Sequence, residues 1–440
     1  MDETATLLLI EEQPLAHVVE SQFTSQICAY CMEPIWERIC EDKLKRCSGC
    51  KFSHYCGLNC QKKDWPIHKK ECSYLSRVAP LVPGSIPRLI GRIITTLKQN
   101  GDKPSFNGRS FASLTTHAED FKRDKKERSA FESIVHVIRH YFLPNQMPSK
   151  SELFDIFCKI VVNAFKITDS CLQEIGTGLY LGLSVLDHSC KPDAFVIFNG
   201  TKAALRSLRS NTEYSDKLRI SYIDISFPKC ERQKNLESHY RFTCDCEVCQ
   251  NIDLDRQKFS LRCKNCRDGY CPYNQKYVHS RTKLPCKVCG AKSYYDLDEI
   301  QDISEKFKSD EWSKKSLDEQ MDLYCSLEKI LSPFNIYLRK LAENIVSAAV
   351  EEEKYDVAIK YKEKTLLSFI TFFPENYPCL SVWMFSYAKL LNLEKSEKYF
   401  GVLRKAFQMI CKSYGSESKF ASVAAQVMSY VREPCPQHHS

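Results

Sequence analysis

Apolar and polar residues change rhythm several times along this chain, and each change predicts a different kind of structure. Leu7 to Ile10, followed by Gln13-Pro14, reads as a strand and turn within residues 1–20. Over residues 28–72 apolar positions become sparse, and cysteine and histidine recur in close pairs. From about 84 to 165 apolar residues return at spacings of three and four, which is a helical period. A polar loop at 98–109 and a charge run at 122–128 interrupt it. Between 176 and 225 the pattern shortens to β-type runs at 194–198, 203–208 and 218–223, with Asn199-Gly200 as the turn between the first two. Gly176-Thr177-Gly178-Leu179-Tyr180 reads as a glycine-hinged turn. Cysteine pairs return over 244–289, and from about 300 onward the pattern is helical throughout.

The helical tail carries an internal echo. Glu353 to Tyr361 and Glu394 to Tyr399 each begin an amphipathic helix, about 40 residues apart, and Tyr377-Pro378 breaks the chain between them. Stacked hairpins of the tetratricopeptide kind fit this pattern, and so does a plain helical bundle.

At 440 residues the chain predicts two to four domains. Hydrophobic residues make up 43% and charged residues 27%, the balance of a folded rather than a disordered protein. Apolar runs fall short of the roughly 18 residues that span a bilayer, and 7–10 is too short for a signal-peptide core. We therefore expect no membrane association and an intracellular protein, in nucleus and cytoplasm.

The 24 cysteines sharpen this picture. In a reducing compartment, Cys-x-x-Cys pairs read as zinc sites rather than disulfides. That reading also changes the charge. The formal net charge of +8 counts thiols as neutral, whereas a zinc bound by four thiolates retains roughly two negative charges, and one bound by three thiolates and a histidine roughly one. Three sites of the first kind and one of the second bring the total to about +1. Direct nucleic-acid binding is not expected on this balance, and Lys62-Lys63 and Lys69-Lys70 read as solvated basic faces.

Cys28-x2-Cys31, Cys47-x2-Cys50, Cys56-x3-Cys60 and His68-x3-Cys72 supply four ligand pairs, each able to hold two corners of a zinc tetrahedron. The segment has so few apolar residues that its folding is expected to depend on metal. His68 and Cys72 lie one helical turn apart, on one face, and Trp65 is expected to pack that helix. Cys40 fits no pair. Further along, Asp187-His188-Ser189-Cys190 precedes Lys191-Pro192, which favours an extended or irregular connection. Cys244, Cys246 and Cys249 are three ligands lacking a fourth, and Cys190, in a polar turn, is the natural candidate. Cys263-x2-Cys266 and Cys286-x2-Cys289, with Gly290 after the second pair, predict a structural zinc ribbon. Cys271, Cys158, Cys171, Cys230, Cys325, Cys379, Cys411 and Cys435 have no partners by spacing and are expected to be buried or free thiols.

The first block, with Tyr55-Cys56, Gln61-Lys62-Lys63, Trp65 and the run from His68 to Cys72, closely resembles the MYND zinc finger. That resemblance implies interleaved ligation, one zinc on Cys28, Cys31, Cys56 and Cys60 and another on Cys47, Cys50, His68 and Cys72. It also implies a closed structural site that binds protein partners, often proline-rich peptides. The motif at 187–190, the strand Ile220-Ser221-Tyr222-Ile223-Asp224 and the closing Tyr240-Arg241-Phe242-Thr243-Cys244 resemble the SMYD branch of SET-domain methyltransferases. Taken singly, Tyr222 reads as a strand tyrosine and Phe165 or Phe242 as core; their order relative to the cysteines carries the resemblance.

The SMYD resemblance implies Tyr222 as catalytic residue, and S-adenosyl-L-methionine contacts at His117, Asn163, Ser184, Asp187, His188, Tyr222 and Phe242. It implies a substrate-lysine channel walled by Phe165, Tyr222 and Tyr240, and Zn2+ on Cys190, Cys244, Cys246 and Cys249. The implied activity is methylation of protein lysines, histone H3 tails first and non-histone proteins besides. There are two departures. The family motif reads Asn-His-Ser-Cys where this chain has Asp187. The family also carries a glycine-containing turn ahead of the strand matched by Leu7 to Ile10, which predicts either a longer form of the chain or a cofactor held without that turn. A non-catalytic SET/MYND adaptor that recruits partners in transcriptional regulation is the competing expectation.

The expected architecture is α+β: a SET-type β fold split by a MYND finger, with a post-SET zinc region and an all-helical, tetratricopeptide-like C-terminal domain. The expected divisions are an N-terminal SET segment (1–27, apparently truncated), the finger (28–72), a helical SET insertion (73–165), core SET (166–230), a post-SET zinc region (231–252), a zinc-ribbon-like segment (253–300) and the helical domain (301–440). A monomer is expected.

Overall fold

The computed structural model describes residues 6–38, 43–210, 212–273 and 281–430. Cys40 and Cys435 lie outside them. The β fold is assembled from strands far apart in sequence. Ala16–Val19 and Ala164–Thr168 both pair antiparallel with Glu174–Leu179, which occupies the centre of a three-stranded sheet. The chain leaves this sheet after Val19, builds the finger and a helical layer, and returns at Ala164. A second sheet joins Leu7–Glu12 to Lys202–Ser207 and Ala194–Asn199, the last two forming a hairpin. Gly200 turns that hairpin with φ +62°, and a Cβ there would stand 2.3 Å from the Cys31 carbonyl oxygen, so the hairpin tip abuts the finger.

The segment expected to turn at Gly176 to Tyr180 instead runs through the central strand. Its glycines are required by crowding. A Cβ at Gly176 would meet Met32 Cε at 2.3 Å and the Val18 carbonyl oxygen at 2.6 Å, and one at Gly178 would meet the Tyr180 ring at 2.9 Å. The run at 218–223 also differs from expectation. Only Arg219–Ile220 is strand, paired parallel with Asp187–His188, and the chain then bends through Tyr222. That short parallel pair brings Tyr222 against His188.

Five helices, at Leu58–Val78, Ser85–Asn100, Ala118–Arg123, Lys125–Tyr141 and Lys150–Asn163, form the layer between the finger and the returning strand. Asp124 caps one of them, accepting from the N–H groups of Lys126 and Glu127. The finger shares their core, Cys28, Cys47, Cys50 and Cys72 being buried with Ile90, Ile93 and Tyr141. Buried charge also joins the two. Arg92 donates to Asp64 at 2.5 Å and to Glu71 at 2.6 Å, and Tyr55 donates to Asp64 at 2.8 Å. Trp65 stands with its ring 6.0 Å from that of His68 on the same helix and keeps 43% of its surface exposed.

Beyond the post-SET helix Lys229–Tyr240, two small antiparallel strand pairs carry the ribbon cysteines, and Gly290 takes φ +73° at its knuckle. The tail is built of successive packed helices: Ile336–Glu351 against Tyr355–Phe372, then Pro378–Leu393 against Tyr399–Tyr414, followed by Lys419–Tyr430. Pro378 opens its helix at the first turn, where its missing N–H is no loss. Each pair is a helical hairpin whose connection passes through a left-handed residue, Glu353 (φ +58°) in the first and Lys395 (φ +56°) in the second. These helices cover the second sheet, Trp383, Phe385 and Ala388 packing with Phe195, Ile197 and Ala204. Arg206 donates to Thr6 and pairs with Glu417 at 3.0 Å, while Thr6 donates to the carbonyls of Lys412 and Ser413. Among the described residues, no helix is long and apolar enough to cross a membrane.

Candidate functional site

Four sets of ligand atoms converge, each set within 4.8 Å: Cys28, Cys31, Cys56, Cys60; Cys47, Cys50, His68, Cys72; Cys190, Cys244, Cys246, Cys249; and Cys263, Cys266, Cys286, Cys289. A tetrahedral zinc with arms of about 2.3 Å sets its sulfurs about 3.8 Å apart, whereas a disulfide sets them about 2.05 Å apart. The observed separations are 3.8 Å for Cys47–Cys72, 3.6 Å for Cys190–Cys249, and 3.8 Å for both Cys263–Cys289 and Cys266–Cys286. Donor type and spacing both fit zinc. The finger sets have the interleaved order, and Cys190 is the fourth member of the post-SET cluster. Cys60, His68 and Cys72 all sit on the helix Leu58–Val78, so one helix serves both finger centres.

Among the described residues, the remaining thiols are unbridged. Cys158 and Cys271 are buried, the latter accepting from the Tyr295 hydroxyl at 3.3 Å, while Cys171, Cys230 and Cys325 are exposed.

Around the post-SET cluster lies an aromatic nest. The Tyr222 ring stands 4.7 Å from Tyr240 and 5.3 Å from His188, and Phe242 meets it edge-on at 6.5 Å. Backbone curvature sets this up: Arg241 takes φ +62° at the end of its helix, turning Tyr240 and Phe242 toward the same tyrosine. The Tyr222 hydroxyl donates to the Leu186 carbonyl at 2.5 Å. Burial, and next the Asp187 carboxylate, push the phenol well above its ordinary pKa, so it keeps its proton.

His188 Nδ1 accepts from the Tyr222 N–H at 3.1 Å, which leaves the ring proton on Nε2, 3.3 Å from Cys190 Sγ. Burial and the nearby Arg232 lower the pKa of His188 to about 4. Arg232, buried beneath the cluster, donates to Cys249 Sγ at 3.6 Å and offsets part of its negative charge.

A cavity of about 320 Å³ opens beside Tyr222. Its lining includes Asn163, Phe165, Ser184, Tyr222 and Tyr240, and Tyr377 and Pro378 of the helical tail complete the wall. Asn163 donates from Nδ2 to the carbonyls of Thr115 and Lys159, both at 2.8 Å, which leaves its Oδ1 without a described partner. Ser184 donates to the Leu181 carbonyl at 2.7 Å. Asp187 lies outside that lining, largely exposed and paired with Arg219 at 2.8 Å. His117 adopts φ +48° ahead of a short helix, with Nδ1 3.9 Å from Asp120. No described bond joins it to the Tyr222 group; it adjoins through Thr115, the acceptor of Asn163.

Sequence patterns do not flag Glu12, Arg232 or Tyr377. Glu12 accepts from the N–H groups of Gly182 and Leu183 and from the Ser105 hydroxyl, and so fixes the turn ahead of Ser184. A lone acidic residue ending a strand gives no signal of that role; the proline after Tyr377 signals only a helix start.

The family model of the MYND finger matches residues 28–72. The chain is 29% identical over 416 residues to histone-lysine N-methyltransferase SMYD3 of Homo sapiens, covering 93% of this chain and 89% of that protein. It is 25% identical over 392 residues to N-lysine methyltransferase SMYD2-B of Danio rerio, covering 88% and 85%. A similar likeness, 24% over 429 residues and 95% and 92% of the two chains, relates it to N-lysine methyltransferase SMYD2 of Sus scrofa. Similarity along nearly the whole chain, the finger match and the clustered cysteines together support a likeness to the SMYD family of SET- and MYND-domain proteins.

Proposed function

We propose that this protein is an S-adenosylmethionine-dependent protein-lysine N-methyltransferase, acting on histone H3 tails and on non-histone proteins, in nucleus and cytoplasm. The observation that carries the reading is the cavity in which Phe165, Tyr222 and Tyr240 surround a space suited to a lysine side chain, next to the motif at 187–190 whose Cys190 belongs to a four-cysteine cluster. The names and lengths of the matched relatives support the same activity. The site also fits the cofactor: Asn163 Oδ1 is an unused acceptor on the cavity wall, and Asp187 is an exposed carboxylate beside Tyr222.

When bound, S-adenosylmethionine supplies a methyl group on a sulfonium, an electrophile open to in-line displacement by an amine. The protein's own part is preparation of that amine. Aromatic walls disfavour ammonium, so a lysine entering between Phe165, Tyr222 and Tyr240 is biased toward its neutral, nucleophilic form. The rings exclude water and tolerate a methylated ammonium product through their π faces. The Tyr222 hydroxyl spends its one proton on the Leu186 carbonyl, so its oxygen can accept an N–H from the amine and aim the lone pair. Asn163, Ser184, Asp187, His188 and Phe242 are proposed as the cofactor-facing set, with His117 at its edge. The finger, with Leu58 67% and Trp65 43% exposed, is proposed to dock proline-rich segments of partner proteins.

The test is a calorimetric titration with S-adenosylhomocysteine, followed by labelled-methyl transfer to histone H3 by wild type and Tyr222→Phe. Binding in the micromolar range and a fall of two orders of magnitude or more in Tyr222→Phe turnover, with an unchanged melting profile, are expected. Absence of heat at high-micromolar ligand would leave the adaptor reading in its place.

A further inference from the structure

Among the described residues, Arg109 is a cation that no carboxylate pairs. It sits in the loop between the helices Ser85–Asn100 and Ala118–Arg123, and that loop is tightly held. Ser105 donates its N–H to the Arg109 carbonyl at 2.8 Å, Arg109 donates its own N–H to Asn107 at 3.3 Å, and Asn107 reaches the Gly182 carbonyl at 3.1 Å. Phe106 lies so close to Gly182 that a Cβ there would approach its ring to 2.3 Å. The loop is thus fastened against the turn that carries Ser184.

The Arg109 side chain projects from this frame half-buried. Its Nε is closed off from solvent and has no hydrogen-bond partner, and among the described residues no carboxylate pairs with the guanidinium. The acidic groups that face it are Tyr222, Asp187 and Asp216. The two carboxylates are occupied elsewhere: Asp187 holds Arg219 at 2.8 Å, and Asp216 accepts from Tyr214 and, at 3.4 Å, from Asn107. A fixed, partly desolvated guanidinium with its carboxylates already engaged is poised for an external anion. Arg109 is not part of the aromatic cavity lining, so that anion is not a neighbour of the lysine in the channel.

We propose that Arg109 is a cofactor-binding residue that receives the α-carboxylate of the methionine moiety, while Asp187 beside it receives the α-ammonium. An α-amino acid carries both charges on adjoining groups, and a cation near an exposed carboxylate matches that pair. Asp187 keeps acceptor sites beyond the oxygen that holds Arg219. The assignment rests on the methyltransferase reading above.

The test uses the full, zinc-loaded chain and two probes. S-Adenosylhomocysteine carries the amino-acid end; 5′-methylthioadenosine keeps nucleoside and thioether but lacks it. Arg109→Gln is expected to weaken S-adenosylhomocysteine by roughly ten- to a hundredfold, the range of a charge-assisted bond, and to leave methylthioadenosine within about twofold. Equal loss of both probes, or loss of neither, overturns the role of Arg109. Wild-type protein alone provides a second arm: decarboxylated S-adenosylhomocysteine is expected to bind it more weakly by the same factor, and undiminished binding would also overturn the proposal. Failure of wild type to bind any of these probes would instead count against the methyltransferase reading itself.

Discussion

The main-chain N–H of Tyr222 ends on His188, whose other ring nitrogen stands 3.3 Å from the metal-ligand sulfur of Cys190. One imidazole therefore spans the gap between a structural cluster and the tyrosine beside the cavity. Cluster ligands from opposite sides of Tyr222 in sequence, at 190 and at 244–249, draw the chain around it. The geometry of the tyrosine is consequently a property of the metal centre.

Cys190→Ser tests that dependence. Zinc per chain is expected to fall from four to three by elemental analysis, and S-adenosylhomocysteine binding to weaken severely although Tyr222 is untouched. Retention of the fourth ion, or unchanged binding, would separate tyrosine from cluster.

The Arg92 guanidinium lies between Asp64 and Glu71, all three buried, and Glu71 Oε2 is also 3.3 Å from Nδ1 of the zinc ligand His68. Removing one member of a buried ion group strands the others. Arg92→Leu is expected to cost about 3–5 kcal/mol, read as a lowered midpoint in urea. A loss below about 1 kcal/mol would show that these charges find water instead.

Two glycines make a matched pair. Gly176→Ala places a methyl 2.3 Å from Met32 Cε and 2.6 Å from a carbonyl oxygen, whereas Gly57→Ala meets nothing within 4 Å and has extended backbone. The first is expected to destabilise by about 1–3 kcal/mol and the second, at a helix N-cap, by less than about 1 kcal/mol. Similar melting shifts for both would contradict the crowding at the sheet centre.

Lys258 is buried, with Nζ donating to the carbonyls of Ile225 and Phe227 at 2.9 and 2.8 Å. Burial first, and then Arg232, lower its pKa to about 7. The unfolded lysine holds its proton to a higher pH than the folded one, so between those two values the unfolded state binds more protons and stability rises with pH. Compared with Lys258→Met, wild type is expected to gain up to about 1.4 kcal/mol for each pH unit from 7 toward 9. A difference that stays flat with pH would mean the amine is neutral, or charged, throughout.

The metal centres were readable in the sequence because ligand spacing is local: two donors on one turn announce themselves without knowledge of the rest. The helical character of the tail was readable through periodicity. Gly176 and Gly178 misled because a glycine pair in a short window looks like a turn, while Gly176 is crowded by Met32 and the Val18 carbonyl and Gly178 by the Tyr180 ring and the Ile167 side chain. Arg92, Arg109, Glu12 and Arg232 left no trace, since each acquires its meaning only from partners that folding brings across long stretches of chain. The aromatic residues lie between these extremes. Tyr222, Tyr240 and Phe242 meet as the cysteine order implied, but the Tyr377-Pro378 wall comes from a segment whose only visible signal was a helix break.

The bond from Thr6 to the Lys412 carbonyl, 2.7 Å long, spans 406 positions. With Arg206 held between Thr6 and Glu417, and Lys419 paired to Glu33 of the finger at 2.9 Å, the first strand gains these partners only from the helix Tyr399–Tyr414 and the residues just after it. On a ribosome the sheet beside the cavity must wait, its outer face unsealed, until the tail has emerged. Assembly of this protein is thus weighted toward the end of its synthesis, the interval in which a holding chaperone would matter most.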